Sequence, residues 1–253
     1  MKGLWQEFRL AGAFLTRFPV AGADPIQPRQ LARSMAFYPL IGLLLGALLV
    51  GADLLLGQLL PRAVLDALLL TLLIVVTGAL HLDGLADLLD GLAGGKDRES
   101  LLRIMKDSRI GAIGAVGLVM VLLLKYLSLT SLPLAQKTAA LLLMPAAGRW
   151  TPVVLAVTCP YLRPEGGTGK AFVEEVGRRE LAIATSFLAV LVLGLFRLQG
   201  LLIFGLLALA AGIMIAYCRR RLGGVTGDVL GAATEVAEVW CLLVLLALSR
   251  WLA

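Results

Sequence analysis

Three aspartates, Asp83, Asp87 and Asp90, stand at i, i+4 and i+7 within residues 81–109. On a helix this spacing makes one acidic stripe. Like charges on one face repel unless a cation lies among them. Carboxylate oxygens suit Mg²⁺, which keeps some of its waters and shares phosphate oxygens. The plainer alternative is a solvated acidic helix end. His81 abuts the stripe, either as a base or as an interfacial hydrogen-bonder. A second acidic set, Asp228, Glu235 and Glu238, occupies i, i+7 and i+10 of residues 223–240, again near one face. Acids at a membrane-embedded helix mark a functional site by default. Two such helices meeting at one cavity could hold two metals and clamp the attacking and leaving oxygens of a phosphoryl displacement. The expected metal ligands are therefore Asp83, Asp87, Asp90, Asp228, Glu235 and Glu238. His81 and the four aspartates form the expected catalytic set.

Bases and glycines surround these acids. Gly94, Gly95 and Lys96 could bring backbone amides to a phosphate, although no GxxxxGK[ST] loop is present. Lys106, Asp107 and Arg109 follow in MKDSRIG. Arg109 can grip a phosphate bidentately and Lys106 acts as a point charge; inner-face topology is the other source of such charges. Arg149 interrupts an apolar run. It should pair with an acid, face a watered cavity holding phosphate, or snorkel to the interface. Thr226, two residues before Asp228, joins Lys96, Lys106, Asp107, Arg109 and Arg149 in the expected substrate-binding set. Residues 163–170, RPEGGTGK, form either a flexible lid or a plain loop.

The elements that must position these residues follow from composition. The chain has 253 residues, 59% hydrophobic and 16% charged, with mean hydropathy +0.91. Soluble domains carry about 25% charged residues. An all-α, polytopic membrane bundle is expected, a single domain over 1–253. The net charge of +6 does not imply nucleic acid, because the bases flank apolar runs and so report topology and anionic headgroups. Cys159, Cys218 and Cys241 are far apart and read as packing residues. No cleavable signal peptide is read in the first twenty residues.

Residues 1–35 are amphipathic and suit an interfacial helix, with Pro19, Pro25 and Pro28 as breaks. Residues 36–253 form the bundle. A span takes roughly 20 apolar residues. About seven are expected, at 36–60, 63–82, 112–130, 138–158, 181–197, 200–218 and 236–252. An inner N-terminus places most of the 23 Lys and Arg inside. Arg62, Lys125, Lys137, Arg197 and Arg250 then fall on the outer side, and every charge-rich motif faces the cytoplasm.

Five stretches carry a resemblance: FLTRFPV (14–20), FYPLIGLLLG (37–46), HLDGLADLLDGLAGG (81–95), RESLLRIMKDSRIGAIG (98–114) and GGVTGDVLGAATEVAE (223–238). In order and across almost the whole chain, they resemble the cobalamin (5'-phosphate) synthase, or adenosylcobinamide-GDP ribazoletransferase, family. The resemblance implies a Mg²⁺-dependent enzyme of the bacterial cytoplasmic (inner) membrane, with its active site facing the cytoplasm. Such an enzyme joins adenosylcobinamide-GDP to α-ribazole, or its 5'-phosphate, and releases GMP in the last assembly step of cobalamin synthesis. Asp83, Asp87 and Asp90 fall on the family's first acidic motif, and Asp228, Glu235 and Glu238 on its second. The partners implied are those two substrates and the lipid bilayer, with no nucleic acid. A homo-oligomer and association with other cobalamin-assembly enzymes stay open.

Two rivals bound this reading. A CDP-alcohol phosphotransferase making phospholipid needs DGxxAR, but Asp83-Gly84 is followed by Leu85-Ala86-Asp87 without an arginine. A transporter would place its charges near the bilayer midplane, whereas these acids gather at one face.

Overall fold

A computed structural model describes residues 2–19, 26–163 and 169–250. The lid reading at 163–170 therefore lies mostly outside the described residues. The first helix, α1 (Lys2–Leu15), buries Leu10, Ala11 and Leu15 and exposes Leu4 and Trp5. α2 (Pro28–Ser34) runs through a 3₁₀ turn into α3 (Tyr38–Leu56), giving one 29-residue helical run. Pro28 starts this helix and does not break one. At the first helical position its missing N–H is no loss, and the Gln30 side chain accepts the Gln27 amide at 3.0 Å. The helix that carries the first span thus begins within residues 28–34, which the sequence assigned to the interfacial segment.

α4 (Arg62–Thr77) and α5 (Leu80–Gly94) do not form the single straight span expected at 63–82. They meet at 90°. Gly78 and Ala79 are both left-handed, at φ 66° and 58°, and close α4 through bonds to Val75 and Ile74. Arg17 donates its amide to Val76 at 2.8 Å, tying the end of α1 to this break. The acidic stripe therefore rides on its own short helix.

α6 (Arg98–Ile104) is capped by Asp97 and Ser100. α7 (Ala112–Ser131) and α8 (Leu134–Thr158) follow. After α9 (Lys170–Glu175) come α10 (Arg178–Phe196) and α11 (Gln199–Tyr217), which ends in a π turn at Cys218–Leu222. α12 (Gly227–Ala247) closes the bundle. It starts nine residues before the expected span at 236, because Thr226 caps it there. Its first two turns, GDVLGAAT, hold an acid and several small residues, which pack helix to helix but read weakly as an apolar run.

α8 is the central post, buried along most of its length from Ala140 to Ala156. Gly42 and Gly46 bring α3 against its backbone at Pro145–Ala146 and Leu141–Leu142. α7 and α11 instead expose Val116, Val119, Leu201 and Ile213, surfaces suited to lipid. Among the described residues six helices are long and apolar enough to cross a membrane, or seven if the bent α4–α5 pair counts as one span. The chain is a polytopic helical membrane protein.

Two lysines expected on the outer side are buried within the bundle. Lys137 is buried in α8, 2.8 and 2.7 Å from the two Asp66 oxygens. Lys125 lies inside α7 and is 3% exposed. Each has an acid across the helix interface, which is what lets an ammonium stay buried.

Candidate active site

α5 and α12 touch through glycine. A Cβ at Gly84 would stand 2.7 Å from the Asp228 carbonyl oxygen, and one at Gly231 would stand 3.3 Å from the His81 Cα. This close approach brings His81 and Asp83 of α5 onto one cavity with Asp228 of α12. The cavity measures about 280 Å³ and is closed on another side by Phe14, Tyr38 and Phe172. Gly84→Val would push backbone against backbone. It is expected to abolish turnover while the chain still inserts, as measured by activity and yield of the purified protein.

Asp228 is held from two sides. Arg163 Nη2 donates to Oδ2 at 2.7 Å, and the Thr226 hydroxyl lies 3.5 Å from the same oxygen. Arg163 follows α8 on a short extended stretch. There Leu162 donates to the Val225 carbonyl, and Val225 to the Pro160 carbonyl, both at 2.9 Å. Thr226 is buried and accepts the Val229 amide at 3.3 Å, so it serves as the helix cap as well as a neighbour of Asp228. Asp87 faces the charges of Asp83, Asp228 and Asp90, with Arg163 the cation acting on it among the described residues.

The expected stripe divides. Asp90 accepts the Gly111 amide at 2.6 Å and the Gly114 amide at 2.8 Å. It caps α7, and a Cβ at Gly114 or Gly111 would run into its carboxylate. Asp90 thus spends its oxygens on backbone, which leaves Asp83, Asp87 and Asp228 as the acids facing one another.

The second acidic set also divides. Glu235 and Glu238 lie seven and ten residues past Asp228, about 10 and 15 Å further along α12 at 1.5 Å per residue. Both are buried. Lys125 Nζ stands 2.5 Å from Glu235 and also bonds Glu238, and Arg149 bonds the other Glu238 oxygen. The sequence placed these glutamates among the metal ligands at the start of a span. The structure puts them inside it and matches their two charges with two cations. Arg149 likewise finds its acid partner, and its Nη2 lies 3.5 Å from His81 Nδ1. It stands behind His81 and is no wall of the cavity.

Lys96, Lys106 and Arg109 are exposed. The Arg109 side chain is 87% exposed and grips Asp107 through Nε at 3.0 Å and Nη2 at 2.7 Å. The guanidinium holds the Asp107 carboxyl down at about 2. Neither residue lines the cavity. Five residues were given no site role by the sequence: Arg163, Lys125, Phe14, Tyr38 and Phe172. Arg163 opened the lid candidate, Phe14 and Tyr38 lay in resembling stretches, and Lys125 interrupts the apolar LLLKYLSL.

Among the described residues no three His, Cys, Asp or Glu side chains are gathered into a complete ligand cage. The donor set still fits Mg²⁺, which binds through one or two carboxylates plus water and phosphate. Asp83, Asp87 and Asp228 are the carboxylates that would hold it, and Asp87 lies in the field of the other two.

Comparison with known proteins gives the lineage. The family model for cobalamin-5-phosphate synthase matches residues 7–246. A protein of Desulforamulus reducens named adenosylcobinamide-GDP ribazoletransferase is 40% identical over 96% of this chain and 97% of its own length. Proteins of the same name from Syntrophobacter fumaroxidans and Pseudomonas putida are 43% and 46% identical, over 93% and 92% of this chain and 96% and 95% of theirs. No solved structure matches. The chain belongs to the cobalamin-5-phosphate synthase family.

Proposed function

We propose that the cavity between α5 and α12 joins adenosylcobinamide-GDP to α-ribazole or its 5'-phosphate, releasing GMP, on the cytoplasmic face of the inner membrane. One observation carries this reading: Asp83 and Asp228, from two helices, stand on one cavity beside a third acid, Asp87. The names of the relatives supply the substrates, and the inner-face bias of Lys and Arg supports the orientation.

In this reaction a ribose hydroxyl attacks the phosphorus attached to cobinamide, and the bond to GMP breaks. Negative charge spreads over the phosphoryl oxygens, so the protein mainly positions and neutralises. Asp83, Asp87 and Asp228 would hold Mg²⁺, which when bound neutralises pyrophosphate oxygens and the departing phosphate. Arg163 fixes Asp228 in place. Arg149 fixes His81. An Nδ1 that accepts from Arg149 leaves the neutral ring's proton on Nε2, as a donor and not a base. The hydroxyl proton then goes to a carboxylate, a role we assign to Asp83 on the cavity wall.

Purified protein should release GMP from adenosylcobinamide-GDP only when α-ribazole is present. EDTA should reduce the rate to background, and added Mg²⁺ should restore it. GMP release that ignores α-ribazole, or survives EDTA, would defeat the corresponding half of the proposal.

A further inference from the structure

We infer that His81 meets the phosphoryl group directly, donating its Nε2–H to the oxygen on which charge collects, and that Arg149 and Glu238 are positioning residues that hold it so. This rests on the ribazole-transfer reading and adds the donor that the protein itself brings to the reacting phosphorus.

The imidazole is held from behind. Arg149 is buried in α8 and lines no part of the cavity, whereas His81 does. Arg149 Nη2 lies 3.5 Å from His81 Nδ1. A guanidinium has only N–H donors and keeps its charge. The ring nitrogen that faces it must be the bare one, which puts the proton on Nε2. The two nitrogens point to different sides of the ring, so Nε2 is turned away from Arg149. Nε2 has no hydrogen-bond partner among the described residues, yet it is not one of the partnerless polar atoms sealed inside the bundle. Because His81 lines the cavity, the cavity is where this N–H opens. Asp83 and Asp228 share that cavity and take no bond from it. The acceptor it is placed to meet is therefore an oxygen of the substrate.

Arg149 is itself clamped. Its Nη1 bonds one Glu238 oxygen, and Lys125 takes the other. A Cβ at Gly148 would stand 2.7 Å from the Glu238 Cγ, so α8 leaves out a side chain beside Arg149 and thereby admits this carboxylate. An arginine that only balanced the Glu238 charge would have no need to reach His81 with its second terminal nitrogen. A guanidinium pinned at one nitrogen and aimed with the other fixes the tautomer and the direction of the ring together. In the transfer, the α-ribazole hydroxyl oxygen bonds to phosphorus and its proton goes to Asp83. The P–O bond to GMP breaks, and its electron pair leaves with GMP. Nε2–H keeps its proton throughout and stabilises a non-bridging oxygen of the phosphoryl group.

His81 is the one histidine of the chain, so ¹⁵N-histidine labelling of the full protein, purified without a histidine tag, reports this ring alone. Wild type should show a protonated Nε2 and a bare Nδ1 by NMR; a protonated Nδ1 overturns the inference. Adenosylcobinamide-GDP with Mg²⁺, in the absence of α-ribazole, should shift the Nε2 signal, and an unmoved signal also overturns it. Arg149→Met combined with Glu238→Gln removes one cation and one anion together. This double variant should show a mixture of the two tautomers; an unchanged ring would strip Arg149 and Glu238 of the positioning role. In turnover, His81→Gln sets an amide N–H near the place of Nε2 and should keep kcat within about tenfold of wild type. His81→Asn sets its amide near Nδ1 and should lower kcat about a hundredfold or more, with the KM for α-ribazole unmoved. Equal losses in the two variants would overturn the donor role. If wild type shifts its Nε2 signal yet never releases GMP, the transfer reading fails and the donor assignment stands.

Discussion

Asp83→Asn and Asp228→Asn are each expected to lower the rate of GMP release on the order of a hundredfold or more, at unchanged protein yield. Asparagine keeps the shape of the side chain and one oxygen but removes the charge. At Asp228 it also leaves the Arg163 guanidinium, 2.7 Å away, with a neutral acceptor. The Asp228→Asn loss should be partly recovered at higher Mg²⁺, because there the charge supplies metal binding; the Asp83→Asn loss should not be, because Asp83 also takes the hydroxyl proton. Rate measured against Mg²⁺ concentration checks this. Normal rates at low Mg²⁺ in both variants would remove the metal assignment and leave the acids as an interfacial pair. Arg163→Ala should fall in the same direction but less far, about tenfold, since it acts only through the position of Asp228.

How much of this the residues disclosed depends on range. Helix-forming apolar runs are local, so the bundle and its approximate count are written in the chain. The break at Gly78–Ala79 is less legible, because it needs a non-glycine residue at φ 58° that an apolar window does not register. The start of α12 was hidden for a similar reason: Gly231, Ala232 and Ala233 lower hydropathy, while Gly231 lets α12 lie against α5 at His81. The acids were legible as chemistry, and their division was not. Asp90 and Asp83 share a face by spacing, but only the position of α7 decides that Asp90 meets the Gly111 and Gly114 amides. The ring wall of Phe14, Tyr38 and Phe172 is wholly tertiary, joined from three helices. No spacing rule reaches that far.

The largest stability effect is expected at Lys125, which the apolar run around it shows as a single out-of-place charge. Its ammonium bridges Glu235 and Glu238, and Arg149 completes a set of two cations and two anions, all 5% exposed or less. The set is neutral as a whole, which is what makes its burial tolerable. Lys125→Met removes one cation and leaves two carboxylates sharing the Arg149 charge in a water-poor interior. Removing one partner of a buried pair costs about 3–5 kcal/mol, more than the pair itself contributes. The variant should melt well below wild type in detergent and reach the membrane in reduced amount. Adding Glu235→Gln returns the cluster to neutrality and should recover most of the loss, although two polar contacts are gone. The double variant separates charge balance from contact count. If lost contacts governed stability, it would be the worse of the two; if charge balance governs, it melts nearer wild type. Recovered stability should also bring back turnover, because Glu238 still holds Arg149, and Arg149 is what stands behind His81.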